Sequence, residues 1–233
     1  MAPKQVRSRP IKLSRSNAKP RVVRHEVREE IQRRILSGES KPGERLSQQS
    51  LARELGVAQG TVRESLLELQ WLGLVESVDH LGVFVEKLDV TRVCEAYLLR
   101  EVMEGLAARL ACRNAGRSDV AELKTMAERI YKLAQEDNPE AASLDRGFHL
   151  RITEMTRNDT LLKLSKTYRA LGMVVRAFRE PAVIYAEHLK IIEAIENNLA
   201  EEAEQQARKH VLGARAMIEA QAQGGKFVPQ WVK

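Results

Sequence analysis

Residues 45–85 read RLSQQSLARELGVAQGTVRESLLELQWLGLVESVDHLGVFV, and the first part of this segment has the period of short helices. Ser47 is a suitable N-cap for a helix through Leu55, because its hydroxyl can accept a hydrogen bond from a first-turn N–H group. Gly56 supplies a turn residue, and a second helix is predicted over 59–72. Two short helices around a glycine-containing turn form a helix-turn-helix.

The period changes from helical to extended after Gly73. Residues 74–78 and 82–85 have strand composition, and the turn residues 79–81 separate them. This pattern predicts a two-stranded ribbon. Together with the preceding helices, the ribbon predicts a winged helix-turn-helix.

The second predicted helix has one apolar face, formed by Val62, Leu66 and Leu69. Burial of that face turns hydrogen-bonding and small residues near the helix start outward, namely Gln59, Gly60, Thr61 and Arg63. In this motif the start of the second helix meets base edges, while arginine and hydroxyl groups contact phosphates. The pattern favours DNA binding, and a protein-interaction winged helix with merely solvated residues is the alternative.

Several short motifs make the prediction more specific. They are KPGERL at 41–46, LA at 51–52, LGV at 55–57, VRE at 62–64 and GLV at 73–75. The segment that contains them, about 31–85, resembles the DNA-binding domain of the GntR family of bacterial transcription regulators. Relatives commonly carry Ser-Arg-Thr-Pro at 58–61, where this chain has AQGT, and Arg at Leu81. The resemblance implies DNA contacts by Arg45, Ser47, Gln49, Gln59, Gly60, Thr61, Arg63, His80 and Gly82.

The composition bounds the class of protein. Aromatic residues make up 4% of the 233 residues, which together with plentiful Ala, Leu, Glu, Arg and Lys favours helices. Cys94 and Cys112 fall in one helical pattern and form no disulfide framework, so a reducing, cytoplasmic setting is expected. No run approaches the roughly 18 apolar residues of a membrane span, and no membrane partner is expected.

The positive charge is concentrated in the N-terminal part of the chain. Residues 1–88 contain 16 Lys and Arg against 11 Asp and Glu, whereas residues 89–233 contain 22 against 21. The net charge of +6 therefore belongs mainly to the predicted winged helix. Such a domain attracts phosphate and gains affinity for DNA by counterion release.

The chain divides into four predicted segments. Residues 1–21 carry seven Lys and Arg and no acidic residue, which indicates a disordered basic arm that either follows DNA or remains solvated. Residues 22–88 form the winged helix-turn-helix, and its first helix is marked by apolar residues at 27, 31 and 35. Residues 89–223 form an all-α domain, and residues 224–233 form a tail.

The all-α domain is predicted to be an antiparallel bundle of about six helices, so the fold class is mostly α. The helical patterns cover 90–115, 118–136, 139–157, 159–180, 182–198 and 200–222. Gly, Pro and Asn residues separate them.

Three histidines in this bundle are predicted to point inward. His188 lies in a stripe of isoleucines and His210 in a stripe of small residues. Asp145 and His149 are four residues apart, so they stack about 6 Å apart on one helix face. For any one histidine, a hydrogen-bonded core residue is the usual case. A cluster of unpaired polar groups would cost about 1–3 kcal/mol each, and coordination of an ion such as Zn²⁺, Ni²⁺, Fe²⁺ or Mn²⁺ would remove that cost.

A second resemblance bears on these residues. The segments YLLR at 97–100 and DRGFH at 145–149, with Glu104 and the two later histidines, look like the FCD effector-binding domain of the FadR subfamily, and six helices resemble its VanR-like group. In metal-binding members an Asp-x-x-x-His pair and two later histidines hold a divalent ion. The resemblance therefore implies Asp145, His149, His188 and His210 as metal ligands, with zinc as the first candidate.

The same resemblance implies an anionic effector. Arg100 shares a helix face with apolar residues and either pairs with Glu104 or offers a fork for a carboxylate. Tyr168 and Arg176 are further candidates for the wall of the site, and Asn158 is a candidate despite TRN at 156–158, where relatives often have small-Gly-Asn. A small organic acid is the expected ligand.

These patterns lead to one hypothesis and two rivals. The hypothesis is a homodimeric transcription regulator, commonly a repressor in this family, that binds double-stranded DNA at a palindromic operator and responds to the acid. One rival is a metal-dependent hydrolase or lyase that uses the same ligands to activate water. The other is a metal-free regulator that binds a longer acyl ligand.

Overall fold

The computed structural model describes residues 20–87, 89–172 and 179–225, without the side chains of 20–22 and 166–172. The predicted arm up to residue 19, Arg176 and the tail beyond residue 225 lie outside the described residues. The described residues form two compact units, one comprising 20–35 and 39–86, the other comprising 36–38 and those from 87 onward.

The first unit is a small helical domain with a three-stranded sheet. Its elements are α1 (Pro20–Leu36), β1 (Arg45–Leu46), α2 (Gln48–Leu55), α3 (Gln59–Trp71), β2 (Val75–Val78) and β3 (Gly82–Val85). The predicted winged helix-turn-helix is therefore present. Helix α1 begins at Pro20, so the last two residues assigned to the arm, 20 and 21, belong to this helix.

Local chemistry explains the turn between α2 and α3. The Ser47 hydroxyl accepts a hydrogen bond from the N–H of Ser50 at 3.3 Å, as the cap prediction requires. Gly56 adopts a left-handed conformation with φ of 68°, which ends α2 and which a residue with a side chain rarely adopts.

The prediction of a two-stranded ribbon was incomplete. The sheet has the strand order β1-β3-β2, and both pairings are antiparallel. Strand β1 is only two residues long, with Arg45 opposite Phe84 and Leu46 opposite Val83. A pair of residues shows no alternation, so this strand could not be recognised from periodicity.

The core of the first unit is apolar. Its members include Ile31, Ile35, Leu66, Leu69 and Leu74, which are at most 2% exposed. The Ser65 hydroxyl of α3 donates to the backbone carbonyl of Arg24 at 3.1 Å, which joins α1 to the helix-turn-helix.

The second unit is a bundle of helices. Its elements are α4 (Val90–Ala111), α5 (Arg117–Gln135), α6 (Glu140–Met155), α7 (Asp159–Gly172), α8 (Pro181–Glu196) and α9 (Ala200–Gln223). The prediction of about six helices is confirmed for the described part of the chain. Helix α4 packs along α9, and α5 packs against both α6 and α8.

The bundle core combines apolar and polar side chains. Phe148, Leu123, Ile191 and Ile192 are at most 1% exposed. Glu104, His149, His188 and His210 are buried as well, each at most 5% exposed. None of the described helices is long and apolar enough to cross a membrane.

Candidate functional site

One candidate site lies at the start of α3. Its buried face is formed by Val62, Leu66 and Leu69, as predicted. Of the residues predicted to face DNA, Gln59, Gly60 and Arg63 are exposed and Thr61 is half-buried. The cap residue Ala58 makes no side-chain hydrogen bond to the helix. The first turn of α3 therefore has no side-chain cap from Ala58, and the N-terminus of a helix is a site where phosphate can bind.

The wing places further predicted residues together. His80 is exposed at its tip with φ of 61°, and Gly82 follows with φ of 114°. An added Cβ at Gly82 would lie 3.2 Å from Nε of Arg45, so the Arg45 side chain crosses the wing at this glycine. Arg45 and Gln49 are exposed. Ser47 is exposed too, but its hydroxyl is used for the α2 cap.

The second candidate site lies inside the bundle and combines residues from three helices. Asp145 and His149 come from α6, His188 from α8 and His210 from α9. One potential ligand atom from each of these four residues lies within 4.8 Å of all the others. The imidazole centroids of His188 and His210 are 4.9 Å apart, and those of His149 and His210 are also 4.9 Å apart. Nε2 of His188 is 3.3 Å from Oδ1 of Asp145.

His188 is the most deeply buried member of this cluster. It is 0% exposed, and its ring stacks on Phe148 with centroids 4.3 Å apart. Neither ring nitrogen makes a hydrogen bond within the described part of the chain, although Nε2 is near Asp145. Burial lowers the pKa of His188 well below its ordinary value, so the ring is neutral at pH 7. Neutral imidazole with an available lone pair is the form of histidine that binds metal ions.

The remaining ligand chemistry also fits a divalent cation. Burial raises the pKa of Asp145, an effect that the Coulombic interactions with His210 and Arg100 oppose. A cation at this point would restore the carboxylate form and use the buried nitrogens that otherwise cost about 1–3 kcal/mol each. Three imidazoles and one carboxylate suit Zn²⁺ and also Ni²⁺, Fe²⁺ or Mn²⁺. The four residues therefore fit a metal ion.

Two glutamates contact the histidine cluster from outside. Oε2 of Glu104 lies 3.1 Å from Nδ1 of His149, and Oε2 of Glu187 lies 2.8 Å from Nδ1 of His210. Neither contact was predicted from the sequence. Glu104 comes from α4 and Glu187 from α8, so each partner lies on another helix and no local spacing indicates the pair.

Arg100 is held beside the cluster. Its Nε donates to Oε1 of Glu104 at 3.1 Å, and its guanidinium carbon lies 4.5 Å from the centre of the Tyr97 ring. The pairing of Arg100 with Glu104 was one of the two predicted arrangements. Burial opposes the charge of Arg100, but the Glu104 carboxylate outweighs this effect and raises the pKa of the guanidinium. Arg100 thus stays cationic in a buried position.

The other predicted effector residues are placed differently or not described. Asn158 is exposed and acts as the cap of α7, since its Oδ1 accepts the N–H of Leu161 at 3.0 Å. Its side chain therefore serves the helix start. The side chain of Tyr168 and the whole of Arg176 lie outside the described residues.

Comparison with known proteins agrees with both halves of the chain. Residues 24–85 match the model of the bacterial regulatory proteins of the gntR family, and residues 95–213 match that of the FCD domain. A probable D-xylose utilization operon transcriptional repressor of Paenarthrobacter nicotinovorans is 31% identical, with 81% of this chain and 85% of that protein covered. The Nta operon transcriptional regulator of Aminobacter aminovorans is also 31% identical, over 60% of this chain and 65% of that protein.

Solved structures agree on the fold. E. coli McbR/YncC superposes with a TM-score of 0.69 at 20% identity, over 86% of this chain and 98% of that one. A putative transcriptional regulator GntR from Rhodococcus sp. RHA1 superposes with a TM-score of 0.64 at 25% identity, over 84% and 97%.

The winged helix and the helical domain define a DNA-binding transcription regulator. The chain belongs to the GntR family and carries an FCD domain. The matched families and these relatives are regulators, which sets aside the hydrolase or lyase.

Proposed function

We propose that the operator affinity of this regulator is controlled by a small organic anion that binds near a divalent metal ion in the bundle. The observation that carries the proposal is the meeting of Asp145, His149, His188 and His210, with ligand atoms within 4.8 Å of one another. When bound, the ion supplies open coordination positions for an effector oxygen. Effector binding then changes DNA affinity to the extent that it favours one conformation over another.

The metal part of the proposal is tested on the protein as purified. Elemental analysis and native mass spectrometry of the wild type should find about one divalent ion per chain, and His188→Ala should lose most of it. An alanine at the exposed His25 is the matched control, because that side chain is 57% exposed and lies in the other unit. Absence of an ion in the wild type, even after incubation with Zn²⁺, would favour the metal-free acyl-ligand regulator.

The anion part depends on Arg100. Its bond to Glu104 is donated by Nε and not by either of the two terminal amino groups. The fork that these two groups form suits a carboxylate. Titration with a panel of small carboxylates should stabilise the metal-loaded wild type, and Arg100→Gln should lose that response while retaining the ion. Equal stabilisation of both proteins would refute the role of Arg100.

The DNA part assigns groove contact to the start of α3 and to the wing. We propose contacts by Gln59, Thr61, Arg63 and the region of His80, with Arg45, Ser47, Gln49, Gly60 and Gly82 beside them. Fragments selected from genomic DNA should bind with a steep dependence on salt. Arg63→Ala should weaken binding about tenfold and lower the salt slope by about one if it contacts phosphate. Lys132→Ala is the control, since this exposed lysine lies in the bundle.

A homodimer completes the proposal. Two DNA-binding domains related by a two-fold axis would match the two halves of a palindromic operator. The expected location of the protein is the reducing cytoplasm of a bacterium. Sedimentation of the protein with one selected duplex should give two chains per duplex. A single chain per duplex, with unchanged affinity for one half-site, would refute the dimer. Release of the duplex by the effector would mark the regulator as a repressor.

A further inference from the structure

Glu187 fixes which nitrogen of His210 carries the proton. Oε2 of Glu187 lies 2.8 Å from Nδ1 of His210. Since a carboxylate can only accept at this distance, Nδ1 donates, and Nε2 is the nitrogen that remains for a metal ion.

Arg179 holds Glu187 from the other side. One terminal amino group, Nη2, donates to Oε1 of Glu187, and the other, Nη1, donates to the backbone carbonyl of His210 at 3.3 Å. The Arg179 side chain is only 9% exposed. The guanidinium therefore links Glu187 on α8 to the backbone of α9 at the histidine itself.

Gly213 provides the space for this guanidinium. A Cβ built at position 213 would lie 2.8 Å from Nη2 and 3.1 Å from Cζ of Arg179. Glycine lowers helix stability, and this one lies inside α9. Glycine at this position allows the guanidinium of Arg179 to approach α9 closely.

A second histidine also lies beside a carboxylate that pairs with an arginine. Nδ1 of His149 lies 3.1 Å from Oε2 of Glu104, whose Oε1 accepts from Nε of Arg100 at 3.1 Å. Nε2 of His149 is on the side of Asp145, 3.9 Å from its Oδ2. In both cases a carboxylate that pairs with an arginine lies close to Nδ1, but only the Glu187–His210 contact has the geometry of a hydrogen bond.

We propose that Glu187 is a positioning residue for His210, which it holds in the tautomer and orientation that direct Nε2 at a metal ion, and that Arg179 holds Glu187 in place. This inference rests on the proposed metal site. Carboxylates that accept from the second nitrogen of a ligand histidine fix its orientation and raise its basicity. Glu187 acts through His210 and does not itself contact the ion.

The test compares the Zn²⁺ affinity of full-length variants by competition with a chelator. Glu187→Ala should bind Zn²⁺ about 10–100-fold more weakly than the wild type. Glu187→Gln should recover part of the loss, because the amide oxygen still accepts from Nδ1–H but carries no charge. Glu193→Ala removes an exposed glutamate of the same helix and should leave the affinity unchanged.

Gly213→Ala separates positioning from general stability. The added methyl group displaces Arg179, whereas alanine favours the helix more than glycine does. The Zn²⁺ affinity should therefore fall by severalfold while the melting temperature of the chelated protein stays the same or rises. With Co²⁺ as the probe, the visible absorption bands of Glu187→Ala and Gly213→Ala should shift, because a ligand has been reoriented. Unchanged bands and affinity in both variants would overturn the inference.

The experiment separates failure of the metal site from failure of the positioning role of Glu187. If the wild type binds neither Zn²⁺ nor Co²⁺, the proposed metal site fails and this inference fails with it. If the wild type binds Zn²⁺ and the Glu187 and Gly213 variants bind it equally tightly, only the positioning role fails. If Glu187→Ala does not fold, Gly213→Ala and Glu187→Gln still decide the question.

Discussion

The cores of the two units are built from different chemistry. In the winged helix the large side chains that are at most 2% exposed are apolar, and the residues proposed to contact DNA are exposed or half-buried. In the bundle, His188 is buried as completely as Ile191, and a glutamate and two more histidines are buried beside it. Burial in the first unit removes mainly apolar side chains from water, whereas in the second it includes a cluster of ionisable groups whose desolvation costs free energy.

This difference in buried side chains corresponds to two kinds of functional site, one exposed and one enclosed. A DNA-binding domain can expose its functional side chains, because they enter a groove of the DNA when the complex forms. A sensor for a small ion or molecule must enclose its ligand, so the functional groups occupy core positions. Each of the following predictions tests that contrast, from the largest expected effect to the smallest.

The largest effect is expected from a cavity in the apolar core of the winged helix. Leu66→Ala should lower the free energy of unfolding of that unit by about 2–5 kcal/mol, because the residue is only 2% exposed. Amide hydrogen exchange followed by mass spectrometry should show faster exchange in peptides of 24–85 and little change in 95–213. Leu67→Ala is the matched control, since Leu67 is 49% exposed. Equal effects of both changes would contradict the packing described above.

The second effect concerns the ion. Zn²⁺ at a hundredfold excess over its Kd should stabilise the bundle by about 2.7 kcal/mol. The same exchange measurement should show this protection in peptides of 95–213, and His188→Ala should abolish it. Protection of the bundle in the His188 variant equal to that in the wild type would place the ion elsewhere.

The third prediction sharpens the contrast by making the bundle core apolar. His188→Leu should raise the stability of the chelated protein by about 1 kcal/mol, because it removes two buried nitrogens without hydrogen-bond partners in the described structure. The same change should abolish the stabilisation by Zn²⁺. Urea unfolding with and without chelator measures both effects, and His25→Leu controls for the change of residue type. A loss of stability in the chelated protein would mean that the histidine is a structural residue.

The smallest effect is expected from the loss of a surface ion pair in the winged helix. Hydrogen bonds from Arg33 and Arg34 outweigh desolvation and lower the pKa of Glu30 from 4.5 to about 2. Its contribution is present above pH 4.5 and is lost as the pH falls toward 2, because the unfolded chain takes up the proton first. Glu30→Gln should therefore cost at most about 1 kcal/mol at pH 7, since the pair is partly exposed.

Thermal unfolding between pH 7 and pH 3 checks this prediction. The difference between wild type and Glu30→Gln should shrink as the pH falls below 4.5. The exposed neighbour Glu26 provides the control as Glu26→Gln. A difference that grows in acid would contradict the direction of the shift.

Much of the architecture could be predicted from the chain alone. The 3.6-residue period predicted the helix-turn-helix and the six helices of the bundle, and Ser47 and Gly56 predicted the ends of α2. These features depend on neighbours within one or two turns of a helix. The spacing of Asp145 and His149 likewise placed both residues on one face of α6. Local geometry is sufficient for such inferences.

Other features depended on contacts between distant segments. Strand β1 forms only because β3 lies beside it. Glu187 meets His210 from another helix, and Asn158 turned out to cap α7, where the sequence had suggested a ligand contact. Thus the sequence by itself determined the two modules and the inward histidines, through periodicity. Only the tertiary structure decided which carboxylates support those histidines, because that choice depends on how the helices pack against each other.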